Sequence, residues 1–316
     1  MSILDQAQLL AAAGKREEAV RLVVQAAGAG DGEALFAVAN WRLFGIHGPR
    51  DLAATHRMLD QAVAAGDAEA ALLKSSLLAN GAGCVADEAG ALALLRSIGG
   101  NSPQAATQIE LLQAMRADEP GPEAGRLLCG DPHVRAVPGL LSAAECRYLM
   151  ERSERHLQPS FINHPVTGRR TPHPMRTSMG MSFGPSLEDA VVRRINRRLA
   201  TVSGTQLACG EPLHMLRYTA GQEYKPHVDT IGGESNQRAW TVLVYLNAGY
   251  TGGATLFDLL GVEYVGSPGD VLVFGSLDAQ GRPDPRTRHA GLPILAGVKW
   301  LATRWIRQRP VQLLSE

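Results

Sequence analysis

Leu216-Arg217-Tyr218-Thr219-Ala220-Gly221-Gln222-Glu223-Tyr224-Lys225-Pro226-His227-Val228-Asp229 is a β-rich run, a glycine-containing turn, and then an imidazole and a carboxylate two residues apart. In an extended strand, residues i and i+2 face the same way, so His227 and Asp229 converge on one point. With nine histidines in the chain, a His-x-Asp tripeptide arises readily by chance, and the pair gains meaning only from its surroundings. The best third donor is His289, in Arg288-His289-Ala290-Gly291.

Two histidines and one carboxylate on one face leave the opposite coordination positions of a metal open. Non-haem Fe(II) oxygenases use that arrangement to bind a co-substrate and dioxygen; a Zn(II) hydrolase can use the same donors. Ten residues beyond His289, Lys299-Trp300-Leu301-Ala302-Thr303-Arg304-Trp305 reads as a strand with Lys299, Leu301, Thr303 and Trp305 on one face. A lysine facing a barrel interior is unfavourable unless its charge is paired. A dicarboxylate co-substrate supplies that partner through a charge-assisted hydrogen bond, whereas a strand-end lysine reaching back to water is the competing explanation. Lys299 at this spacing behind the three donors favours the dicarboxylate, and a hydrolase leaves it unexplained.

Outward from these residues, short β-rich runs at 213–218, 240–247, 254–256, 270–274 and 299–307 alternate with glycine-containing turns, which predicts a sandwich or barrel. Helices are expected over 142–156 and 187–201. Between them 160–174, rich in Pro, Arg and His, reads as a loop suited to act as a lid. Residues 1–117 are instead rich in Ala and Leu, with apolar positions every three or four residues, the period of amphipathic helices. Gln25-Ala26-Ala27-Gly28-Ala29-Gly30-Asp31 recurs 36 positions later as Gln61-Ala62-Val63-Ala64-Ala65-Gly66-Asp67, Glu33-Ala34 recurs as Glu69-Ala70, and Gln104-Ala105 is a fainter echo. Such a period marks stacked helix pairs. The segment resembles Sel1-like repeats, relatives of the tetratricopeptide family; a plain helical bundle is the alternative. Ala117-Asp118-Glu119-Pro120-Gly121-Pro122 breaks the helical pattern. The expected organisation is a helical repeat domain over 1–117, a linker over 118–130 and a β domain over 131–316.

The 316 residues include 31 Lys+Arg and 31 Asp+Glu, a balance that gives no support for a nucleic-acid partner. No apolar run of about 18 residues predicts a membrane span, and Lys15, Arg16, Glu17 and Glu18 interrupt any leader-like segment. Cys84, Cys129, Cys146 and Cys209 form no Cys-x-x-Cys pair, so reduced thiols in a cytoplasmic setting are expected.

Arg176-Thr177-Ser178, the 216–229 stretch, Thr241 to Asn247, Gly252 to Phe257, Pro268 to Phe274, and Asp284 to Ile294 with the Lys299 strand together resemble the prolyl 4-hydroxylase family of 2-oxoglutarate oxygenases. The resemblance runs from about 138 to 307. It implies an α+β chain of two domains, helical repeats followed by a double-stranded β-helix (jelly-roll) oxygenase domain. It implies Fe(II) held by His227, Asp229 and His289, with Lys299 on the distal carboxylate of 2-oxoglutarate and Tyr218 lining that pocket. Tyr245 and Thr303 are further candidates there, Tyr245 sharing the inward face of its strand with Thr241 and Leu243; core packing is the alternative for both. Arg238 matches a position that helps hold peptide substrate in the family, a solvated arginine being the alternative.

Dioxygen is then the oxidant, and ascorbate is expected to support turnover. The carboxylate at Asp229 favours hydroxylation over halogenation. The expected substrate is a prolyl residue of a protein or peptide presented by the helical repeats. A free amino acid or small metabolite is the second reading, and a repeat adaptor with a vestigial oxygenase domain the third. Three positions depart from the family pattern: Ala254 where Glu is usual, Arg288 where Leu is common, and His214 where Gln is frequent. None is a metal ligand, so they bear on substrate rather than on iron.

Overall fold

Aspartates and glycines set the helix boundaries of the N-terminal segment. The computed structural model describes residues 1–115, 120–163 and 169–312. Its first part is a series of consecutive helices: α1 (Ile3–Ala12), α2 (Arg16–Gly28), α3 (Gly32–Phe44), α4 (Leu52–Ala64), α5 (Ala68–Asn80), α6 (Glu88–Ile98) and α7 (Pro103–Ala114). Asp31, Asp51, Asp67 and Asp87 cap the N-termini of α3 to α6, each accepting the backbone N–H three residues on at 2.7–2.8 Å. α3 and α5 end on Gly45 (φ 68°) and Gly81 (φ 78°), left-handed positions that suit glycine. Asp31 and Asp67, Asp51 and Asp87, and Gly45 and Gly81 are each 36 residues apart, so the periodicity of the sequence is a periodicity of caps. The fully buried Ala34, Ala39, Ala62 and Ala70 let the helices approach, and Leu35, Leu43, Leu59 and Leu77 fill the space between them. Among the described residues no single helix is long and apolar enough to cross a membrane.

The chain divides into two compact units, the first comprising Met1–Met115 and Pro185–Arg193, the second the rest of the described chain. The second unit is built of strands β1 (Arg126–Cys129), β2 (Val134–Val137), β3 (Gln158–Pro159), β4 (Phe161–Asn163), β5 (Arg170–Pro172), β6 (Met179–Ser182), β7 (His214–Thr219) and β8 (Tyr224–His227). It continues with β9 (Arg238–Tyr245), β10 (Thr251–Gly252), β11 (Thr255–Phe257), β12 (Val262–Tyr264), β13 (Val271–Gly275), β14 (His289–Gly291), β15 (Ile294–Ala296) and β16 (Val298–Arg307). An eight-stranded antiparallel sheet runs β1-β2-β13-β9-β16-β7-β6-β3, and a four-stranded sheet runs β12-β11-β14-β8. Leu216, Leu243, Phe257, Leu272, Phe274 and Leu301 form an apolar core, the two-sheet architecture of a jelly roll.

Helix α8 (Ala143–Glu154) starts with a Ser142/Glu145 capping box, and α9 (Ala190–Val202) follows β6. Arg135 and Arg304 are buried side chains whose guanidiniums donate to the carbonyls of Val202 (2.7 Å) and Asn196 (2.6 Å) in α9. Both expected helices and the five expected β runs are present. The stretch read as a loop over 160–174 differs: β4 pairs with β5, Phe161 opposite Pro172, while 164–168 lie outside the described residues. The expected linker differs too, since its last part is β1; residues 118 and 119 lie outside the described residues, as do 313–316 at the end of the β domain.

Loss of one cap is local and measurable. Asp67→Ala is expected to lower stability by about 1 kcal/mol, read as a shift of the urea midpoint, and Asp67→Asn to retain most of it.

Candidate active site

Strand β16 lies between β7 and β9, and its inward row makes one wall of a cleft. Lys299 is opposite Tyr218, Leu301 opposite Leu216 and Tyr245, Thr303 opposite His214 and Leu243, and Trp305 opposite Thr241. The facing wall comes from the small sheet, where β14 pairs with β8 so that His289 sits directly across from His227. Asp229, two residues beyond, completes a cluster whose donor atoms lie within 4.8 Å of one another. The space between the two walls is about 510 Å³, part of it open to solvent.

Each imidazole is oriented by backbone. His227 Nδ1–H donates to Lys225 O (2.8 Å) and His289 Nδ1–H to Thr287 O (3.0 Å), since a carbonyl can only accept. Both Nε2 lone pairs are thereby directed to the cluster, 3.6 and 3.7 Å from the two oxygens of Asp229. Burial alone would raise the Asp229 carboxyl, but His289, His227 and the Thr241 hydroxyl hold it well below the usual carboxylate range. Thr241 Oγ1 donates to Asp229 Oδ2 at 2.5 Å. Burial lowers His289, with Asp229 opposing, which favours the neutral imidazole that coordinates a metal. Two neutral nitrogens and one anionic oxygen fit a divalent transition metal with open positions.

Lys299 is almost completely buried. Its ammonium donates to Gly253 O at 2.6 Å and lies 5.2 Å from the Tyr245 ring centroid. Among the described residues no carboxylate pairs with it, and burial pushes its pKa down to about 8. Gly253 is held at φ 68°, a left-handed backbone position that favours glycine, and it is the carbonyl of that residue that the lysine meets. A buried ammonium with one neutral acceptor is suited to an anionic ligand.

Of the residues expected from sequence, His227, Asp229, His289, Lys299, Tyr218 and Thr303 all line the cleft. Tyr218, pushed up to about 12 by burial, hydrogen-bonds Ser178. Tyr245 is fully buried behind the lining, its hydroxyl 2.7 Å from that of Thr255, which does face the cleft. Arg238 is neither solvated nor free: it makes two 2.8 Å bonds to Glu211, donates to Asp229 O at 3.3 Å and lies over the Trp305 ring.

Thr241, Tyr224 and Glu211 complete the site beyond those expectations. Strand alternation puts Thr241 on the inward face, yet its bond to Asp229 requires knowing that β8 lies above β9. Tyr224 stacks on His227 with centroids 3.5 Å apart at 17°, and a tyrosine three residues before a histidine gives no signal of that in a strand-and-turn segment. Of the departures, Arg288 pairs with Asp258, Ala254 is buried, and His214 stacks on Trp305.

Residues 213–307 match the 2OG-Fe(II) oxygenase superfamily. Prolyl 4-hydroxylase 1 of Arabidopsis thaliana is 33% identical over 198 residues, covering 56% of this chain and 70% of the relative. Probable prolyl 4-hydroxylase 10 of the same plant is 30% identical over 205 residues, covering 57% and 71%. Among solved structures, the viral collagen prolyl hydroxylase of Paramecium bursaria Chlorella virus-1 in its 2OG complex is 26% identical, covers 55% of this chain and 95% of that one, and has a TM-score of 0.45.

The Thr241 bond is open to test without any turnover. Thr241→Val keeps the shape and removes the donor, and should weaken divalent-metal affinity by about 10- to 100-fold in an anaerobic Fe(II) or Co(II) titration.

Proposed function

This chain belongs to the prolyl 4-hydroxylase family of Fe(II)- and 2-oxoglutarate-dependent oxygenases, and on that premise we propose that it hydroxylates a prolyl residue in a protein or peptide. One observation carries the reading: a two-histidine, one-carboxylate donor set shares a cleft with a buried lysine for which the described residues provide no counter-ion. In this reading His227, Asp229 and His289 hold Fe(II), and Lys299 takes the distal carboxylate of 2-oxoglutarate. Tyr218 and Thr303 line the same pocket, and Tyr245 supports it through Thr255. Fe(II), when bound, supplies the dioxygen activation that decarboxylates 2-oxoglutarate to succinate and CO2 and adds one oxygen atom to the substrate.

The side chains around it orient and exclude. Leu216, Leu243 and Leu301 keep water from the cleft wall, which strengthens each polar contact made there. Arg238 contributes to substrate binding through the groups it holds, the Asp229 carbonyl and the Trp305 ring. The helical unit is read as Sel1-like repeats that bind the substrate protein; the 36-residue period of its caps supports this. A reducing, cytoplasmic setting agrees with four free cysteines.

Given Fe(II), 2-oxoglutarate, ascorbate and proline-containing peptides, the protein is expected to yield peptides one oxygen heavier on proline. The product should require 2-oxoglutarate and vanish in His289→Ala. Consumption of 2-oxoglutarate with no peptide gaining oxygen would move the substrate to the small metabolites.

The Lys299 charge adds a pH dependence. With its pKa lowered to about 8, the ammonium that binds a carboxylate is present below that pH and lost above it. kcat/KM for 2-oxoglutarate should therefore fall about tenfold per pH unit above about 8. Lys299→Arg, charged throughout, should remove that fall; the same descent in both proteins would detach Lys299 from the co-substrate.

A further inference from the structure

Trp305 closes the cleft at the end away from Lys299, six residues or about 20 Å along β16. It faces Thr241, the residue bonded to Asp229, so it stands at the metal-ligand end. Its indole is held from two sides. The Arg238 guanidinium lies 3.9 Å from the ring centroid, and the His214 imidazole stacks on it at 5.6 Å and 30°.

His214 occupies the inward row of β7, opposite Thr303. Its Nδ1 is 2.8 Å from Ser182 Oγ. Its Nε2 is buried with no hydrogen-bond partner among the described residues, as is the indole nitrogen of Trp305. Burial, with Arg176 and Arg238 nearby, pushes the imidazole down to about 3, so it is a neutral ring at working pH. Beside it, a Cβ on Gly180 would stand only 3.1 Å from Nε2, so the glycine on the neighbouring strand is what leaves the ring its place. A buried ring nitrogen without a partner is unfavourable for folding, and an apolar side chain would fill this place more stably. Packing alone therefore does not account for a histidine here.

We infer that His214 is a positioning residue for the substrate: anchored by Ser182 and stacked on the indole, it fixes the plane of Trp305 and with it the width of the substrate end of the cleft. The inference rests on the hydroxylase reading above. Without the imidazole the indole has space to tilt away from Arg238, and a bound peptide loses its fixed height over the metal ligands. The Lys299 end is untouched, so co-substrate binding and its decarboxylation continue while hydroxylation of the peptide fails to follow.

The test uses the full chain and a proline-containing peptide that the wild type hydroxylates. His214→Ala should raise the peptide KM, and the peptide Kd measured anaerobically with metal and 2-oxoglutarate present, by about tenfold. The KM for 2-oxoglutarate should stay level, and succinate formed per hydroxylated proline should rise. His214→Phe, which keeps a ring against Trp305, should recover most of the peptide affinity. Equal rises in both KM values together with a lowered melting midpoint would make His214 merely structural and overturn the inference. So would a His214→Ala protein that matches the wild type in peptide KM and coupling. A wild type that consumes no 2-oxoglutarate would instead overturn the hydroxylase reading itself, and this inference with it.

Discussion

Two opposite charges, Asp229 and Lys299, are buried in one largely apolar cleft without an ion pair between them, and the site is organised by the different ways they are solvated. Removing either from water is unfavourable by several kcal/mol unless partners replace the lost hydration. Asp229 receives such partners from the protein: two imidazoles and the Thr241 hydroxyl outweigh its burial and keep it anionic. Lys299 receives one carbonyl, and burial prevails. The carboxylate is thus presented as an anion that a cation can join, and the lysine as a cation short of an anion. A site arranged for a metal and an anionic co-substrate needs both conditions, at separate places.

Strand alternation keeps the two apart. Along β16 the inward row carries Lys299, Leu301, Thr303 and Trp305, so the lysine and the metal-end tryptophan stand at opposite ends of one strand, with Leu301 and Thr303 between. The outward row of the same strand carries Arg304, whose guanidinium is solvated by helix carbonyls instead. A shift of one residue in register would exchange these rows and destroy the site and the core together. Positioning and stability are therefore served by the same pairing of β16 with β7 and β9.

That division explains what was legible in the sequence. The row 299, 301, 303, 305 follows from period two alone, and so does the convergence of His227 and Asp229. The helical half was legible through chemistry that acts locally: Asp31 and Asp67 cap the helices beside them, and Gly45 and Gly81 end them. Contacts between distant strands were not legible. Nothing in the order of residues says that Thr241 lies under Asp229, that Tyr224 covers His227, or that Glu211 holds Arg238 by both oxygens. Short strands such as Gln158–Pro159 or His289–Gly291 give no signal of their own, because two or three residues are too few to show a period. The β4–β5 hairpin is hidden for the same reason, its composition of Pro and Arg being that of a turn.

The three departures from the family pattern separate on physical grounds. Arg288, beside a metal ligand, brings a charge to an exposed position and finds its partner in Asp258 at the end of the neighbouring strand β11; the substitution is compensated within the chain. Ala254 is small, buried and uncharged, and its carbonyl accepts the Leu292 N–H, so it adds no group that must be solvated. His214 differs from both. It brings a polar ring into a buried place, satisfies one nitrogen through Ser182 and leaves the other without a partner. Of the three, only this one works against stability, and a residue retained against stability beside Trp305 and Arg238 has its explanation in what those two side chains hold.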